Sequence, residues 1–398
     1  MSPKVSELRA RRSSSKAVSR FLAILICASL LLAQRTSVEA AWDLLAKGNR
    51  KQAIVLLHEI IQANPRDADA RLLLGSVLME EGERAESIAQ LTEAVRLRPK
   101  SAEAWNALGE ADPKAARGAF EKAIALDAEF AQARINLGLI LVQSGELQAA
   151  AQHLDRAIAL LGHTPDAAFA HYLRAKVYTE QNDVQTATAE LKEALSLRPD
   201  FAEAWSDLGQ AKKTLLDDAG ALAAFQRAVD AGPDDAVAQY RLGAEYLHSG
   251  KADLAVPHLQ KALALNPQDQ STLNSLQLAL RENGQLEEAA QVRKRLAELL
   301  RKRDVASQNA LIAIQLNNDG ANLEKAGNLR GALEKYRAAL ELYPEHTGIR
   351  VNFAAALLRL GQWNQGISEL REAVRRDPAN STAKAALDKA LAKAPPGP

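Results

Sequence analysis

Histidine and cysteine are the residues of this chain that could bind a metal ion or act as a nucleophile. No two histidines stand at the helical spacing of i and i+4, and no histidine lies in a cluster with cysteine. The only cysteine is Cys27. We therefore expect no metal site and interpret the histidines as solvated or capping residues: His58, His153, His163, His171, His248, His258 and His346.

Paired carboxylates could serve acid–base chemistry, and two such pairs occur, Asp217-Asp218 and Glu287-Glu288. Both stand at predicted helix starts, where the helix dipole stabilises negative charge, so we interpret them as structural. No glycine-rich phosphate loop is present, because the glycines follow a longer repeat period. Outside the repeats described below, no stretch is longer than the first 40 residues, which leaves no room for a catalytic domain. The sequence therefore predicts a protein that is not an enzyme and carries no cofactor.

The first 40 residues resemble a secretory signal. Basic residues between Lys4 and Arg20 precede an apolar run at 21–33, which is shorter than the roughly 20 residues of a membrane-spanning helix. Residues 37–41 then offer small side chains at the positions that a signal peptidase recognises. We predict cleavage after Ala40 and a periplasmic or secreted protein with no stable membrane span. An uncleaved N-terminal membrane anchor is the alternative.

The remainder of the chain is a series of near-copies. AEAWNALGEA at 102–111 returns as AEAWSDLGQA at 202–211, and AVRLRP at 94–99 returns as ALSLRP at 194–199. Aligning such segments gives a period of about 34 residues, which resembles the tetratricopeptide repeat, a helix–turn–helix unit whose copies stack. The resemblance implies an all-α fold, an α-α superhelix that forms a right-handed solenoid.

The recurring residue types have physical causes. Position 8 of the repeat is small, as at Gly109, and position 24 is bulky, as at Phe120, which lets two helices approach and fills the groove between them. Glycine or asparagine, as at Asn182, ends the first helix. Proline at position 32, as at Pro99, stops the second helix. Helices of this length are marginal alone, so each must pack on its neighbours.

About ten repeats, R1 to R10, are predicted. A signal peptide at 1–40 precedes a first block at 41–303, and a connector at 304–312 leads to a second block at 313–380. Residues 381–398 form a capping helix, Ser381–Lys393, and a tail. No glycine or proline occurs between Gly284 and Gly320, which predicts one long helix from about residue 287 to 317; a break near 304–309 is the alternative. The repeats start near residues 34, 68, 102, 131, 168, 202, 236, 270, 313 and 347.

The resemblance also implies where a partner would bind. In tetratricopeptide proteins the inner wall is built from the first helix of each repeat, at positions 2, 5, 9, 12 and 13. Exposed aromatic rings beside amide and cationic groups there suit an extended peptide. Position 5 never carries lysine, so a clamp for C-terminal carboxylates is not expected. The predicted partner-binding residues are Phe169, Tyr172, Lys176, Gln210, Lys213, Tyr240, His248, Asn274 and Arg281.

These features predict an exported scaffold or adaptor that binds protein or peptide segments in its groove. A regulatory or substrate-presenting subunit of an envelope enzyme or assembly complex, whose activity is on a separate chain, is one alternative. Self-association through an end of the stack is another. Nucleic acid is not expected as a partner, because acidic residues outnumber basic ones after residue 40. The basic run at 293–303 is interpreted as a solvated helix face, with an anionic partner or membrane headgroup as the alternative.

Overall fold

The computed structural model describes residues 37–394, so most of the predicted signal segment, including Cys27, lies outside the described residues. Within this range the chain forms twenty α-helices and one short 3₁₀ helix, and it contains no β-strand. The prediction of an all-α fold is therefore confirmed. The chain divides into two compact units, Met1–Glu245 (unit 1) and Tyr246–Pro398 (unit 2).

Unit 1 contains the helices of R1 to R6 and the start of R7. They are α1 (Val38–Ala46), α2 (Arg50–Ala63), α3 (Ala68–Glu80), α4 (Arg84–Leu97), α5 (Ala102–Ala111), α6 (Ala116–Leu126), α7 (Ala131–Gln143), α8 (Leu147–Leu161), the 3₁₀ helix Pro165–Ala167, α9 (Ala168–Glu180), α10 (Val184–Leu197), α11 (Ala202–Thr214) and α12 (Asp218–Ala231). The division between the units falls near the end of α13 (Ala236–His248).

Unit 2 continues with seven helices after α13. They are α14 (Ala252–Leu265), α15 (Gln270–Glu282), α16 (Leu286–Lys325), α17 (Leu329–Leu342), α18 (Thr347–Arg359), α19 (Trp363–Arg376) and α20 (Ser381–Lys393). Inside each unit a helix packs on the helices that precede and follow it in the chain, and first helices of consecutive repeats also touch. This pattern of contacts between neighbours is that of a stacked helical repeat.

The predicted repeat starts coincide with helix starts. The first helices of R2 to R8 and of R10 begin at the residues predicted from the sequence. Asp67, Ser101, Asp269 and Asn380 each accept a backbone N–H from the first turn that follows, which satisfies an otherwise free donor. A helix also spans Ser381–Lys393, and its role as a cap stays a prediction.

The turn after the first helix needs a residue in the left-handed region. Gly82 has φ of +83° and Asn182 has φ of +60°, as their residue types predict. R6 departs from this pattern, because Leu216 occupies the position with φ of +61° and an 87% exposed side chain. An L-residue with a large side chain is strained in this conformation.

Position 8 and position 24 lie against each other in R2, R3, R4, R6 and R9. A Cβ atom added to Gly109 would lie 2.5 Å from Cε1 of Phe120, and one added to Gly209 would lie 2.5 Å from the same atom of Phe225. Both phenylalanines are buried. The sequence rule that pairs a small residue with a bulky one therefore describes the helix–helix contact at the core of these repeats.

The region without glycine or proline forms one continuous helix, α16, of 40 residues. The prediction of a single helix is confirmed, and the helix runs on to Lys325 before it ends. The side chains at 301–308, within and before the predicted connector 304–312, are all exposed. The division into blocks at 41–303 and 313–380 stays a prediction.

Candidate functional site

The fourth residue of most first helices fixes how the helix is turned about its axis. The indole Nε1 of Trp205 donates a hydrogen bond to the carbonyl of Pro199 at 2.7 Å, six residues before it. An equivalent bond to the preceding loop is made by Trp105, Arg71, Arg134, Gln239 and Arg350. Since each helix is tied to its loop in the same way, equivalent positions of successive first helices in one unit face one side. We call that side the first-helix wall.

Polar side chains connect successive first helices across the wall. Position 5 of one repeat is hydrogen bonded to position 6 of the next, and we call each such pair a rung. In unit 1 the rungs are Asn106 with Asn136 at 3.0 Å, Tyr172 with Asp207 at 3.2 Å and Ser206 with Arg241 at 2.8 Å. In unit 2, Asn352 donates to Asn317 at 2.9 Å. The rungs hold neighbouring repeats in register.

Asp207 is the centre of the polar network in unit 1. Its carboxylate accepts hydrogen bonds from the Tyr172 hydroxyl at 3.2 Å, from Lys176 Nζ at 3.3 Å and from Arg241 at 3.1 Å. Burial lowers the pKa of Lys176, but the charge of Asp207 and the contact with Tyr172 outweigh it, so the net shift is upward. Burial raises the pKa of Tyr172, and Asp207 adds to the rise. Lys176 is therefore cationic and Tyr172 neutral.

An aromatic cluster covers the ring of Tyr172. The centroid of Tyr172 lies 4.8 Å from that of Phe201 and 6.0 Å from that of Phe169. The guanidinium of Arg198 lies 3.6 Å above the Phe201 ring. As a result, Tyr172 is only 9% exposed. The expectation of an exposed ring at Tyr172 is therefore wrong, because Phe201 packs over it; its part in binding stays a prediction, as does that of the half-buried Phe169.

The other predicted residues of unit 1 lie further along the wall. Gln210 is exposed on α11, and Tyr240 is half-buried on α13. Lys213 Nζ lies 2.6 Å from Oε2 of Glu245, whose side chain is 1% exposed. The sequence reasoning missed Asp207, Arg241 and Glu245, because their positions in the repeat, 6 and 10, are not among the five implied for the wall. Charged residues at position 6 in consecutive repeats are the signal that could have indicated them.

Three predicted residues belong to unit 2. His248 is the last residue of α13, and Asn274 and Arg281 lie seven residues apart on α15, so the latter two share a helix face. All three side chains are exposed. No rung or ion pair shown in unit 2 involves them, and their role in binding stays a prediction.

The described part of the chain contains neither a cluster of metal ligands nor a membrane-spanning helix. Among residues 37–394 no three histidine, cysteine, aspartate or glutamate side chains converge to hold a metal ion. No helix in the same range combines the length and the apolar character needed to cross a bilayer. His171 lies 2.8 Å from Glu190, and His153 lies 3.4 Å from Arg134, so both are engaged with the neighbouring helix of their own repeat.

Models of known repeat families match these repeats. Tetratricopeptide repeat models match residues 44–111 and 323–390 and, in a second version, residues 102–168, 219–270 and 240–304. A TPR repeat model matches residues 175–215. The chain belongs to the tetratricopeptide repeat family. Tetratricopeptide repeats are typically non-catalytic modules that bind other proteins, and this chain carries them in both units.

Two relatives of this tetratricopeptide repeat protein are large eukaryotic subunits. The anaphase-promoting complex subunit cut9 of Schizosaccharomyces pombe is 26% identical over 151 residues, which cover 37% of this chain and 22% of cut9. The anaphase-promoting complex subunit CDC16 of Saccharomyces cerevisiae is 23% identical over 227 residues, covering 57% of this chain and 27% of CDC16. The chain thus spans about a quarter of the length of these curated relatives.

Two solved structures match part of the chain with TM-scores below 0.5. PilF of Pseudomonas aeruginosa is 20% identical, with a TM-score of 0.47 over 53% of this chain and 98% of PilF. YrrB, described as a TPR protein with an unusual peptide-binding site, is 19% identical, with a TM-score of 0.33 over 55% of this chain and 96% of YrrB. Each is matched over nearly its whole length, whereas about half of the present tetratricopeptide repeat chain is covered.

Proposed function

We propose that the protein is an exported, non-enzymatic scaffold that binds protein or peptide segments along its first-helix walls. The observation that carries this proposal is the wall of R5 to R7 in unit 1. There, exposed Gln210 and the part-exposed groups of Lys176, Lys213 and Tyr240 lie on successive first helices. Amide, cationic and phenolic groups in one row suit the backbone and side chains of an extended segment.

The rungs and the ion pairs beside them support the proposal because they hold wall side chains in place before a partner arrives. Asp207 fixes both Tyr172 and Lys176, and Glu245 fixes Lys213. Side chains that are already ordered lose less conformational entropy on binding, so more of the contact energy contributes to affinity.

Export is part of the proposal and is supported by the sequence of residues 1–40, with its basic start and its short apolar run at 21–33. The mature chain would then work in the periplasm or outside the cell. An N-terminal sequence determined on the protein isolated from its compartment tests this point, since a start at Ala41 is expected and a start at Met1 would contradict cleavage.

A regulatory or assembly subunit of a larger complex is the second candidate. It is favoured by the relatives, because cut9 and CDC16 are both named as subunits of the anaphase-promoting complex. Under this alternative the same wall binds a catalytic partner carried on a separate chain. Co-purification with an enzymatic activity that is lost when the wall is altered would select this candidate.

Crosslinking in the native compartment tests the proposed wall. The variant Gln210→Arg with Tyr240→Ala changes two wall positions and is expected to lose crosslinked partners. Gln185→Arg is the matched control, because Gln185 is equally exposed but lies on the second helix α10. A crosslink profile that is the same in the double variant, the control and the wild type would remove the wall from the proposal.

A further inference from the structure

The first-helix wall of unit 1 also contains an open groove in R1 to R3. This groove is separate from the wall of R5 to R7 in the proposed function. A groove of about 970 Å³ is bounded by the first helices α1, α3 and α5, with Phe130 at one edge. Trp42, Ser76 and Glu110 line it, and each occupies position 9 of its repeat. We call this cavity the N-terminal groove.

The charge of the N-terminal groove is strongly one-sided. Its lining includes five carboxylate side chains and no lysine, arginine or histidine; the carboxylates belong to Glu39, Asp67, Asp69, Glu103 and Glu110. Asp69 is paired with Arg98, which binds it through both guanidinium nitrogens. Asp67, Glu103 and Glu110 form no direct ion pair with a charged side chain of residues 37–394, although Arg98 also interacts with Asp67 and Glu103 through its charge. One guanidinium therefore stands beside five carboxylates, and the groove keeps an excess of negative charge.

The polar contacts that these carboxylates do make hold them in place without neutralising them. Glu110 accepts hydrogen bonds from the amides of Asn106 at 3.0 Å and Asn136 at 2.8 Å, and so it is fixed to the first rung. Glu103 accepts the hydroxyl of Ser101 at 2.8 Å. All of these donors are neutral, so the groove keeps its negative charge on a rigid frame.

Trp42 gives the N-terminal groove a flat aromatic surface. Its side chain is 58% exposed, although tryptophan normally buries most of its large ring. Apolar groups of Leu72, Leu73 and Ala107 form the floor between the carboxylates. A cation with an aliphatic stem can stack on an indole ring, bury its stem on such a floor and place its charge beside carboxylates.

We propose that the N-terminal groove binds a segment of a partner protein that carries arginine or lysine side chains. The inference rests on the proposed scaffold function and names the chemistry of one partner segment. Charge complementarity decides the occupant, because an acidic segment would meet unpaired carboxylates of the same sign. Arginine fits best, since its planar guanidinium both stacks on an indole and binds a carboxylate through two nitrogens. Four of the five carboxylates, and Trp42, follow the predicted cleavage site.

Binding of short fluorescent peptides to the purified protein, followed by fluorescence anisotropy, tests this proposal. The probes are a peptide of alternating arginine and alanine, the same peptide with lysine, and the same peptide with glutamate. We expect binding in the order arginine, lysine, glutamate, with affinity for the cationic probes falling as salt is added. Equal binding of the arginine and glutamate peptides, or binding of neither, would overturn the proposal.

Variants locate the site. Trp42→Ala is expected to weaken arginine-peptide binding at least about five-fold. The double variant Glu103→Gln with Glu110→Gln is expected to weaken it by a similar factor, because it removes two charges and keeps one acceptor oxygen on each side chain. Glu203→Gln is the matched control, because Glu203 stands in R6 in the same AEAW segment as Glu103. An equal loss in the Glu203→Gln control would show general charge attraction and sink the assignment. A circular dichroism spectrum confirms folding of each variant.

The two proposals fail separately. Suppose that the groove variants lose arginine-peptide binding, while the variant Gln210→Arg with Tyr240→Ala keeps the wild-type crosslinks. The N-terminal groove would then remain as the binding surface, and the wall of R5 to R7 would be rejected. A peptide that does not bind, with crosslinks that depend on Gln210 and Tyr240, would reject only the groove.

Discussion

The contact between positions 8 and 24 makes a sharp prediction about Gly109. In the Gly109→Ala variant the new methyl carbon would lie 2.5, 2.8 and 2.9 Å from three carbons of the buried Phe120 ring. A ring is rigid and cannot bend away from the methyl group. At Gly138 the same substitution meets the branched end of Leu154 at 2.7 Å, and that side chain can change rotamer.

The repeats themselves support this distinction. Alanine occupies position 8 only where position 24 is leucine, as in the pair Ala175 and Leu191. The three repeats with an aromatic residue at position 24 all keep glycine at position 8, in the pairs Gly109 with Phe120, Gly209 with Phe225 and Gly320 with Tyr336.

The magnitude follows from two opposing contributions. Replacing glycine by alanine inside a helix raises the free energy of unfolding by about 0.8–1 kcal/mol. Overpacking a buried contact lowers it by about 1–3 kcal/mol. For Gly109→Ala the second contribution is fully present, so we expect a net loss of up to about 2 kcal/mol. For Gly138→Ala the leucine relaxes, so we expect a change near zero.

Hydrogen–deuterium exchange is the suitable assay, because a helical stack need not unfold as one cooperative unit. Faster exchange is expected in peptides covering 102–126 for Gly109→Ala, and little change in peptides covering 131–161 for Gly138→Ala. Gly118→Ala is the control in the same repeat, because nothing lies within 4 Å of its added methyl; it should slow exchange slightly. If Gly109→Ala protected its repeat as well as Gly118→Ala does, the steric reasoning would be refuted.

Three further predictions concern the wall, the pH response and a strained turn. Asp207→Ala leaves Arg241, Lys176 and Tyr172 without their shared carboxylate and should lower local stability by about 1–3 kcal/mol, measured as faster hydrogen–deuterium exchange in peptides covering 168–214. Burial lowers the pKa of His153 below its usual value of 6.5, and Arg134 adds to the shift. The contribution of neutral His153 to stability is therefore present above pH 6.5 and is lost as the pH falls through the folded-state pKa. The variant His153→Gln should flatten the decline of the melting temperature on acidification. Leu216→Gly removes a left-handed leucine and should raise the free energy of unfolding by about 1 kcal/mol; a lower melting temperature would contradict the strain at this turn.

The sequence was sufficient to predict the helices because many of their boundaries are set locally. A capping residue such as Asp67 starts a first helix, and glycine in the left-handed conformation, as at Gly82, ends it. These signals act over a few residues and need no knowledge of distant contacts. The long helix α16 was predictable for the complementary reason, since neither glycine nor proline occurs in residues 285–319.

The rungs could not be predicted in the same way, because they join residues of different repeats. The shortened repeat R3 puts Asn106 and Asn136 only 30 residues apart, whereas the rung from Tyr172 to Asp207 spans 35 residues. A fixed spacing in the sequence therefore misses one of them. The rule that does hold, position 5 to position 6 of the next repeat, becomes visible only when successive helices are seen side by side.

In R2 and R6 the residue just before the first helix affects how far the wall beside it is filled. Phe201 stands there in R6; it makes no side-chain cap, which costs about 1 kcal/mol, but its buried ring contributes about 1.5–3 kcal/mol and covers Tyr172. Asp67 stands at the equivalent place before α3, caps that helix and leaves its carboxylate on the N-terminal groove. At this position, aspartate caps the helix and leaves the wall open, whereas phenylalanine leaves the helix uncapped and fills the wall. The wall positions implied by the repeat pattern stay a prediction, and the residue that precedes a first helix affects which of them are exposed.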